Sequence, residues 1–362
     1  KRVGITAVAH RVVGNLLREV VKVFREEGDL DELRAVCNTD DPDSLPSGVD
    51  KGDNAKCGKS KFNLIAGTTF LFASKPLRQC PVEVLFVDEA GQIALADMLV
   101  VSMATDNLIM VGDPLQLSQV RKADHPRNSG CSALDHILGE DETMPAERGV
   151  FLPVTRRMHP DVCEFISDQI YEGRLKSYSG DDFNCALQST VAGTGLRWLP
   201  VSHTGNTKSS VEEADLIVAE ILRLIGTDWT DDKGITKTLG KEDFVIVTPY
   251  NDQQRLVSDR LNSHPDTAGI DVGTVDMFQG QEAAVVFFSM AASTGEDVSR
   301  GTDFLFSRNR LNVAISRARC LAYLVCTEEL LNTRARNVTD MRLIATLNAF
   351  VEYAERQKER FR

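Results

Sequence analysis

The amino-acid sequence predicts an α/β protein built on parallel sheets. Three apolar runs in the first 120 residues, Asn63–Gly67, Val84–Val87 and Asn107–Val111, each end in small or acidic polar residues. Parallel strands bring their carboxyl ends to one edge of a sheet, and folds of this kind bind ligands there. The 362 residues are enough for two domains, and a change of composition divides them into residues 1–150 and 151–362.

Two carboxylates, Asp88 and Glu89, directly follow the run Val84–Val87. Four consecutive apolar residues predict a strand that is buried on both faces and delivers these acids to the functional edge. In phosphate chemistry one carboxylate holds Mg²⁺ through water, and a second group orients the attacking water. Asp88 is therefore the predicted metal residue and Glu89 the predicted water-activating residue. The alternative is a solvated acidic turn, which an isolated Asp-Glu pair usually forms.

Composition limits the classes of protein to which the chain can belong. A net charge of −12 argues against a protein that coats nucleic acid through its overall field, so any basic footprint must be local, as in Leu305–Arg319. No apolar run approaches the length of a membrane span, and the eight cysteines form no Cys-x-x-Cys pair. We expect an intracellular protein of the nucleus or cytoplasm, with reduced thiols and no membrane segment.

Local patterns predict individual elements. Residues 7–27 have the apolar spacing of a helix, and Thr6 stands at its N-cap position. Cys37–Lys61 has the composition of a surface loop, and Tyr171–Ser210 that of a hairpin with loops. The other predicted helices are Ser132–Leu138, Asp161–Tyr171, Val211–Ile225, Leu311–Ala318 and Met341–Arg356, and the other predicted strands are Phe244–Val247, Ile270–Thr274, Ala284–Met290 and Leu321–Cys326.

The predicted surface loop contains a segment, Gly52–Ser60, that ends like a phosphate-binding loop. Such a loop has four residues between its glycines, follows a strand and opens a helix. Here five residues separate Gly52 from Gly58, a polar stretch precedes them, and a strand-like stretch follows. The segment is therefore not expected to bind a nucleotide.

Six motifs occur in order along the chain. They are Asp88–Gln92 (DEAGQ), Gly112–Leu117 (GDPLQL), Arg157–Pro160 (RMHP), Thr248–Tyr250 (TPY), Val275–Glu282 (VDMFQGQE) and Asn312–Arg319 (NVAISRAR). Their order and spacing resemble those of superfamily 1 helicases, in the branch of the nonsense-mediated-decay helicase, the Sen-type helicases and the Dna-type nuclease-helicases. The resemblance covers nearly the whole chain. It implies two RecA-like domains with ATP in the cleft between them and single-stranded RNA or DNA across the top.

The resemblance implies an ATP-dependent helicase that moves 5′-to-3′ as a monomeric motor. Asp88 would hold Mg²⁺ through water, Glu89 would align the attacking water, and Gln116 would hydrogen-bond the γ-phosphate. Arg157 and Arg317 would act as arginine fingers, because guanidinium forks bind oxyanions in a bidentate manner.

The resemblance also implies positions that bind substrates. Glu282 would accept a hydrogen bond from the ribose, and Gly280 would let the backbone approach closely. Arg156 stands where relatives carry an aromatic ring on the adenine; its planar guanidinium either stacks there in the same way or faces solvent. The nucleotide-binding set also includes Gln92, Gly112 and Asp113, and the set that contacts the nucleic-acid backbone is Thr6, Thr68, Thr248 and Pro249.

The chain begins at Lys1, just after the place where the phosphate-binding loop of these helicases would end. We therefore expect a first domain without the strand and helix of that loop, an uncovered sheet edge beside Val84–Val87, and little ATP hydrolysis by this chain alone. Two functions stay open. One is a motor core that is completed by flanking regions, which could also bind regulatory proteins, and the other is a helicase-like nucleic-acid-binding scaffold that does not hydrolyse ATP.

Overall fold

The chain divides into two units in the computed structural model, which describes residues 1–40, 45–117, 130–178, 186–187, 193–275, 277, 281–298 and 301–360. Unit 1 is Lys1–Asp141 and unit 2 is Glu142–Arg362. The boundary precedes the predicted one at residue 150, because the segment that follows Asp141 bonds to unit 2: Arg174 donates to the carbonyl oxygen of Met144 at 3.3 Å. No helix in the described ranges is both long and apolar enough to cross a membrane.

Unit 1 alternates strands and helices. Its strands are β1 (Val3–Ala7), β2 (Ala35–Cys37), β3 (Val49–Lys51), β4 (Leu64–Thr68), β5 (Val82–Val87) and β6 (Thr105–Met110). Its helices are α1 (His10–Glu27), α2 (Asn54–Cys57), α3 (Thr69–Phe72), α4 (Lys75–Gln79), α5 (Leu95–Ser102) and α6 (Ala133–Leu138).

The six strands of unit 1 form one sheet in the order β3-β2-β4-β1-β5-β6, and every pair in it is parallel. The predicted fold class, α/β with parallel sheets, is confirmed. The open edge expected beside Val84–Val87 is wrong, because β5 pairs with β1 on one side and with β6 on the other. The edge strand on this side of the sheet is β6.

Helix α1 covers one face of this sheet. Val13 and Leu17 pack on Ile5 and Ala66, and Gly28 ends the helix in the left-handed conformation with φ 84°. The predicted N-cap is wrong: Ala9 is the N-cap residue, and Thr6 lies inside β1, a strand that the helical pattern concealed.

In the part of unit 1 that the structure describes, the α1 side of the sheet is only partly covered over β5 and β6. Phe86 pairs in register with Ile5 and with Ile109, so all three side chains point to the same face. Ile5 is 4% exposed beneath α1, whereas Phe86 is 37%, Ile109 42% and Val111 43% exposed. The prediction that Val84–Val87 is buried on both faces is therefore wrong.

The predicted surface loop Cys37–Lys61 contains β3 and α2, so it is partly structured. The segment Gly52–Ser60 does follow a strand, unlike the sequence-based expectation. Its amides are nevertheless engaged: Asp53 accepts the backbone N–H of Lys56 at 2.7 Å through its carboxylate, and the backbone N–H of Cys57 at 2.9 Å through its carbonyl oxygen. The amides of Lys56 and Cys57 are therefore not available to cradle phosphates.

Unit 2 has more elements. Its strands are β7 (Val154–Thr155), β8 (Lys176–Ser177), β9 (Ala186–Leu187), β10 (Gly195–Pro200), β11 (Asp228–Thr230), β12 (Thr236–Thr238), β13 (Phe244–Thr248), β14 (Asp271–Thr274), β15 (Ala283–Ser289) and β16 (Ala318–Cys326). Its helices are α7 (Pro160–Ile170), α8 (Val211–Leu224), α9 (Asn251–Asn262), α10 (Thr302–Leu305), α11 (Arg308–Ile315), α12 (Glu328–Leu331) and α13 (Val338–Arg360).

The main sheet of unit 2 has the order β10-β16-β15-β13-β14 and is also parallel throughout. The hairpin predicted for Tyr171–Ser210 is wrong around Leu196, because β10 pairs in parallel with β16. Helices α8 and α9 cover one face, where Phe287 stacks on Tyr323 with ring centroids 4.5 Å apart. Helices α7, α11 and α13 pack on the sheet and on one another, with Phe165 edge-on to Phe350 at 5.3 Å.

A buried hydrogen-bond network in unit 2 centres on Glu213. The carboxylate accepts the hydroxyl of Ser289 at 2.6 Å and the backbone N–H of Ala291 at 3.0 Å. His203 lies between Glu213, 3.2 Å from Nε2, and the hydroxyl of Ser293, 2.7 Å from Nδ1. A Ser-His-Glu series is found in nucleophilic enzymes, but here Ser293 and Glu213 are 0% exposed, so the network is structural.

Candidate functional site

The acid pair lies at the carboxyl end of β5. The backbone N–H of Asp88 donates to the carbonyl oxygen of Thr6 at 2.8 Å, and the carboxylate of Asp88 accepts the N–H of Glu89 at 2.9 Å. Glu89 has φ 52°, in the left-handed region. A residue with a side chain costs about 1–3 kcal/mol in such a conformation, and this strain is concentrated at functional sites. The backbone therefore marks Glu89 independently of its motif.

The loop after β6 packs against the loop that carries the acid pair. The N–H of Ala90 donates to the carbonyl oxygen of Val111 at 2.9 Å. A Cβ on Gly112 would lie 2.8 Å from the nitrogen of Ala90, and a Cβ on Gly91 would lie 2.9 Å from the carbonyl oxygen of Asp113. Both glycines are needed for this close approach.

The two loops bring together the residues predicted to act on the nucleotide in unit 1. The carboxylate of Asp113 accepts the N–H of Leu115 at 2.9 Å, and its carbonyl oxygen accepts the N–H of Gln116 at 3.3 Å, so Asp113 shapes the turn that presents Gln116. The residues gathered at this edge are Asp88, Glu89, Gln92, Gly112, Asp113 and Gln116. A single half-buried carboxylate such as Asp88 suits a cation that keeps most of its waters, so these residues fit Mg²⁺.

Arg157 in unit 2 is bound to Glu282. Its Nε donates to the Glu282 carboxylate at 2.8 Å, and one terminal nitrogen donates to the carbonyl oxygen of Ser316 at 3.2 Å. The guanidinium of Arg319 is also near Glu282, at 3.9 Å, and pairs with Asp232. The predicted ribose acceptor and the predicted arginine finger are thus partners of each other in this structure.

Arg317, the other predicted finger, is buried. It is 3% exposed, and one of its terminal nitrogens donates to the carbonyl oxygen of Gln281 at 3.3 Å. A finger needs its guanidinium exposed to phosphate, so the structure does not show Arg317 in such a role. Gly280 lies outside the described residues.

Arg156 stacks on a ring of its own chain. Its guanidinium carbon lies 4.1 Å from the ring centroid of Tyr178. Neither sequence-based alternative, a free adenine platform or a guanidinium surrounded by solvent, describes this arrangement fully. One face of the guanidinium is covered by Tyr178, while the residue as a whole stays exposed.

Comparison with known proteins identifies the family. A family model described as an AAA domain matches residues 132–329, which is more than half of the chain. The chain belongs to the AAA domain family.

Curated relatives of this AAA domain chain carry helicase names. It is 29% identical over 262 residues to Helicase sen1 of Schizosaccharomyces pombe (69% of this chain, 15% of that protein). It is 28% identical over 285 residues to Putative helicase mov-10-B.1 of Danio rerio (69% and 28%) and 27% identical over 349 residues to DNA replication ATP-dependent helicase/nuclease DNA2 of Xenopus laevis (87% and 32%). The resemblance to superfamily 1 helicases of the Sen and Dna type is confirmed.

The chain spans 15% to 32% of the length of these three relatives. Among solved structures, it is similar to arterivirus nonstructural protein 10 (helicase) with DNA. The TM-score is 0.48 at 15% identity, over 95% of this chain and 57% of that one.

The residues of this AAA domain chain that were predicted to contact nucleic acid lie in different environments. Thr6 is 1% and Thr248 0% exposed, and no hydrogen-bond partner for either hydroxyl occurs in the described ranges. A direct contact from these two hydroxyls is not supported, because phosphate cannot reach them. Thr68 is half-buried at the end of β4, and Pro249 lines an open pocket of about 360 Å³ with Lys208.

Two residues next to the predicted site were missed from the sequence. Tyr178 supports Arg156, and Asp232 holds Arg319. Asp232 belongs to a turn, Asp231–Gly234, whose Asp and Gly residues are typical of a hairpin loop and could have revealed it. Tyr178 gave no such signal, because a lone aromatic in a polar stretch has no pattern.

Proposed function

We propose that the chain is the motor core of an ATP-dependent 5′-to-3′ helicase or translocase that acts on single-stranded RNA or DNA. The acid pair Asp88 and Glu89 carries the proposal. It lies at the carboxyl end of a parallel strand, with Glu89 in a strained backbone and the Gly112–Gln116 turn beside it. The nucleic-acid substrate is supported by the helicase relatives, and the polarity by the resemblance of the motifs.

ATP hydrolysis needs a nucleophilic water, a metal-bound phosphate and neutralised charge on the transferring phosphoryl group. Asp88 would hold Mg²⁺ through water, and the bound ion would supply charge neutralisation on the phosphate oxygens. Glu89 orients the attacking water and accepts its proton, and the amide of Gln116 hydrogen-bonds the γ-phosphate. These residues supply the positioning on which phosphoryl transfer depends.

By the resemblance, Arg157 would supply positive charge to the transferring phosphate once it leaves Glu282. A phosphate carries more charge than a carboxylate and accepts both nitrogens of the fork, so it competes well for this guanidinium. The ribose hydroxyls then have the Glu282 carboxylate as an acceptor. Arg317 would need to become exposed to act in the same way, because it is 3% exposed here.

The engaged Arg157 and the buried Arg317 also favour the second candidate, a helicase-like scaffold that binds nucleic acid without turnover. The two candidates differ in one measurable property, ATP hydrolysis stimulated by single-stranded nucleic acid in the full-length protein. A motor shows it and a scaffold does not.

Glu89→Gln in the full-length protein tests the motor directly. Loss of a positioned general base lowers the rate by about 10²–10⁴-fold, while nucleotide binding is kept because Asp88 is unchanged. Glu83→Gln is the matched control, since it makes the same change near the opposite end of β5, where Glu83 is exposed. Turnover of Glu89→Gln close to that of the control would refute the assignment.

A further inference from the structure

An open pocket of about 660 Å³ lies beyond the carboxyl ends of β2 and β3. The turns that follow these two strands line it, through Asn38 and Asp40 on one side and Gly52 and Asp53 on the other. The sheet order β3-β2-β4-β1 places it on the same edge as Thr68. Neighbouring strands lie about 4.8 Å apart, so the pocket is about 5–10 Å from the end of β4.

Three lysines line the pocket, and two of them have uncommitted ammonium groups. Lys56 is engaged, with Nζ 3.0 Å from the carboxylate of Asp50 and 2.8 Å from the carbonyl oxygen of Lys51. Across the ranges that the structure describes, no hydrogen bond or ion pair involves the ammonium group of Lys51 or Lys59. Of the lining carboxylates, Asp53 caps α2 through the N–H of Lys56 at 2.7 Å.

The turn after β2, which lines the pocket, bonds to β4 and lies beside the start of α1. The backbone N–H of Asn38 donates to the carbonyl oxygen of Ala66 in β4 at 2.9 Å. Asp40, which also lines the pocket, lies 3.8 Å from the imidazole of His10 at the start of α1. A single strand of nucleic acid that crosses the ends of β1 and β4 can therefore continue along the surface into the pocket.

The chemistry of the pocket suits spaced phosphates better than a triphosphate. The amides of Lys56, Cys57 and Gly58 are bonded within the cap and turn of α2, so they cannot surround a compact polyphosphate. Two separate ammonium groups on flexible stems act as point charges, which match successive phosphodiesters of a single strand.

We propose that this pocket binds the backbone of single-stranded nucleic acid beyond β1 and β4, with Lys51 and Lys59 each meeting one phosphate. This inference rests on the proposed function, because it extends the path of the same strand. It also explains the residues of Gly52–Ser60, which resemble a phosphate-binding loop without forming one.

The test is the salt dependence of single-strand binding by the full-length protein with Lys51→Gln and Lys59→Gln combined. Each phosphate contact contributes about 0.7 to the slope of log K against log salt, so the double variant should lower the slope by about 1.4. The matched control combines Lys22→Gln and Lys358→Gln, which remove the same charge from lysines that pair with Glu19 and Glu355 on α1 and α13.

Single-stranded nucleic acid of about 16 nucleotides is long enough to cross the ends of β1 and β4 and enter the pocket, so the double variant should show the loss with it. An equal loss in the control, or an unchanged slope in the variant, would overturn the inference while leaving the proposed function intact. Failure of the wild-type protein to bind any single strand would overturn both.

Discussion

The two parallel sheets have similar edges and different faces. In both units polar residues follow strands at the carboxyl edge, Asp88 after β5 and Thr327 after β16. In unit 2 helices cover both faces, and Phe287 in the sheet centre is 0% exposed. Among the described residues of unit 1, the face beneath α1 is well covered only as far as β1, and Phe86 is 37% exposed one strand away.

This difference shows that the features that position the site residues are not the features that stabilise the unit. The acid pair is placed by strand ends and by two glycines, which do not depend on cover over β5 and β6. Stability depends on that cover, since each large apolar side chain that becomes fully buried contributes about 1.5–3 kcal/mol. Unit 1 therefore holds its site residues in a less stable framework than unit 2.

The largest expected effect comes from truncating one phenylalanine in each sheet. Phe287→Ala removes a fully buried ring and should lower the free energy of unfolding of unit 2 by about 3–5 kcal/mol. Phe86→Ala removes a ring that is already partly in water and should cost about 1.5 kcal/mol or less in unit 1. Urea denaturation of both variants measures this contrast. Equal losses would show that Phe86 is as well covered as Phe287.

Gly112→Ala tests whether the site depends on the close approach of the two loops. The new Cβ would overlap the nitrogen of Ala90, so the acid pair must shift, at a cost of about 1–3 kcal/mol and with a clear loss of ATP turnover by the full-length protein. Gly205→Ala in unit 2 is the control: its Cβ meets nothing within 4 Å, and only the positive φ of 74° is penalised. Loss of turnover in the control as well would implicate stability rather than loop packing.

Ile109→Lys addresses the open face itself. Ile109 is 42% exposed on the edge strand, so lysine can extend into water, and the charge should reduce association of the chain Lys1–Arg362 with little change in its melting temperature. The same change at Ile246, 0% exposed in unit 2, should prevent folding. Light scattering and thermal melts measure both. Unchanged association would show that this face does not drive association of the chain.

The smallest effect is a difference in thiol labelling between the units. Burial raises the pKa of Cys37 to about 11 in unit 1 and that of Cys163 to about 12 in unit 2, so at pH 8 each thiol reacts only when its unit opens. We expect the partly exposed Cys80 to react first, Cys37 next and Cys163 last. Mass spectrometry of labelled peptides gives the order, and labelling of Cys163 before Cys37 would contradict the proposed order of stability.

Features encoded by neighbouring residues were predicted from the sequence. The parallel strands and the position of Asp88 and Glu89 follow from apolar runs with polar ends, and α7 follows from Pro160 and an apolar face. His159, within the Arg157–Pro160 motif, is the N-cap residue of α7, and its Nδ1 accepts the N–H of Asp161 at 3.2 Å. These patterns are local, so one sequence is enough to show them.

Features that depend on distant partners were not predicted. β10 looked like part of a hairpin because its pairing with β16 joins residues more than 100 positions apart. The bond between Arg157 and Glu282 spans 125 positions, and nothing in either motif indicates it. The partial exposure of Phe86 could not be predicted from the apolar run Val84–Val87 either, because burial depends on which helix packs on that face of the sheet.

The Glu213 network has a kinetic consequence. The N–H of Ala291 is held by the carboxylate, and the same carboxylate is held by Ser289 and His203, so no single bond can open without disturbing the others. Amide hydrogen exchange at Ala291 should therefore proceed only through global opening of unit 2 rather than through local fraying. Ser293 bonds to His203, and His203 bonds to Glu213 in α8, so a movement of Ser293 should be coupled to a movement of α8.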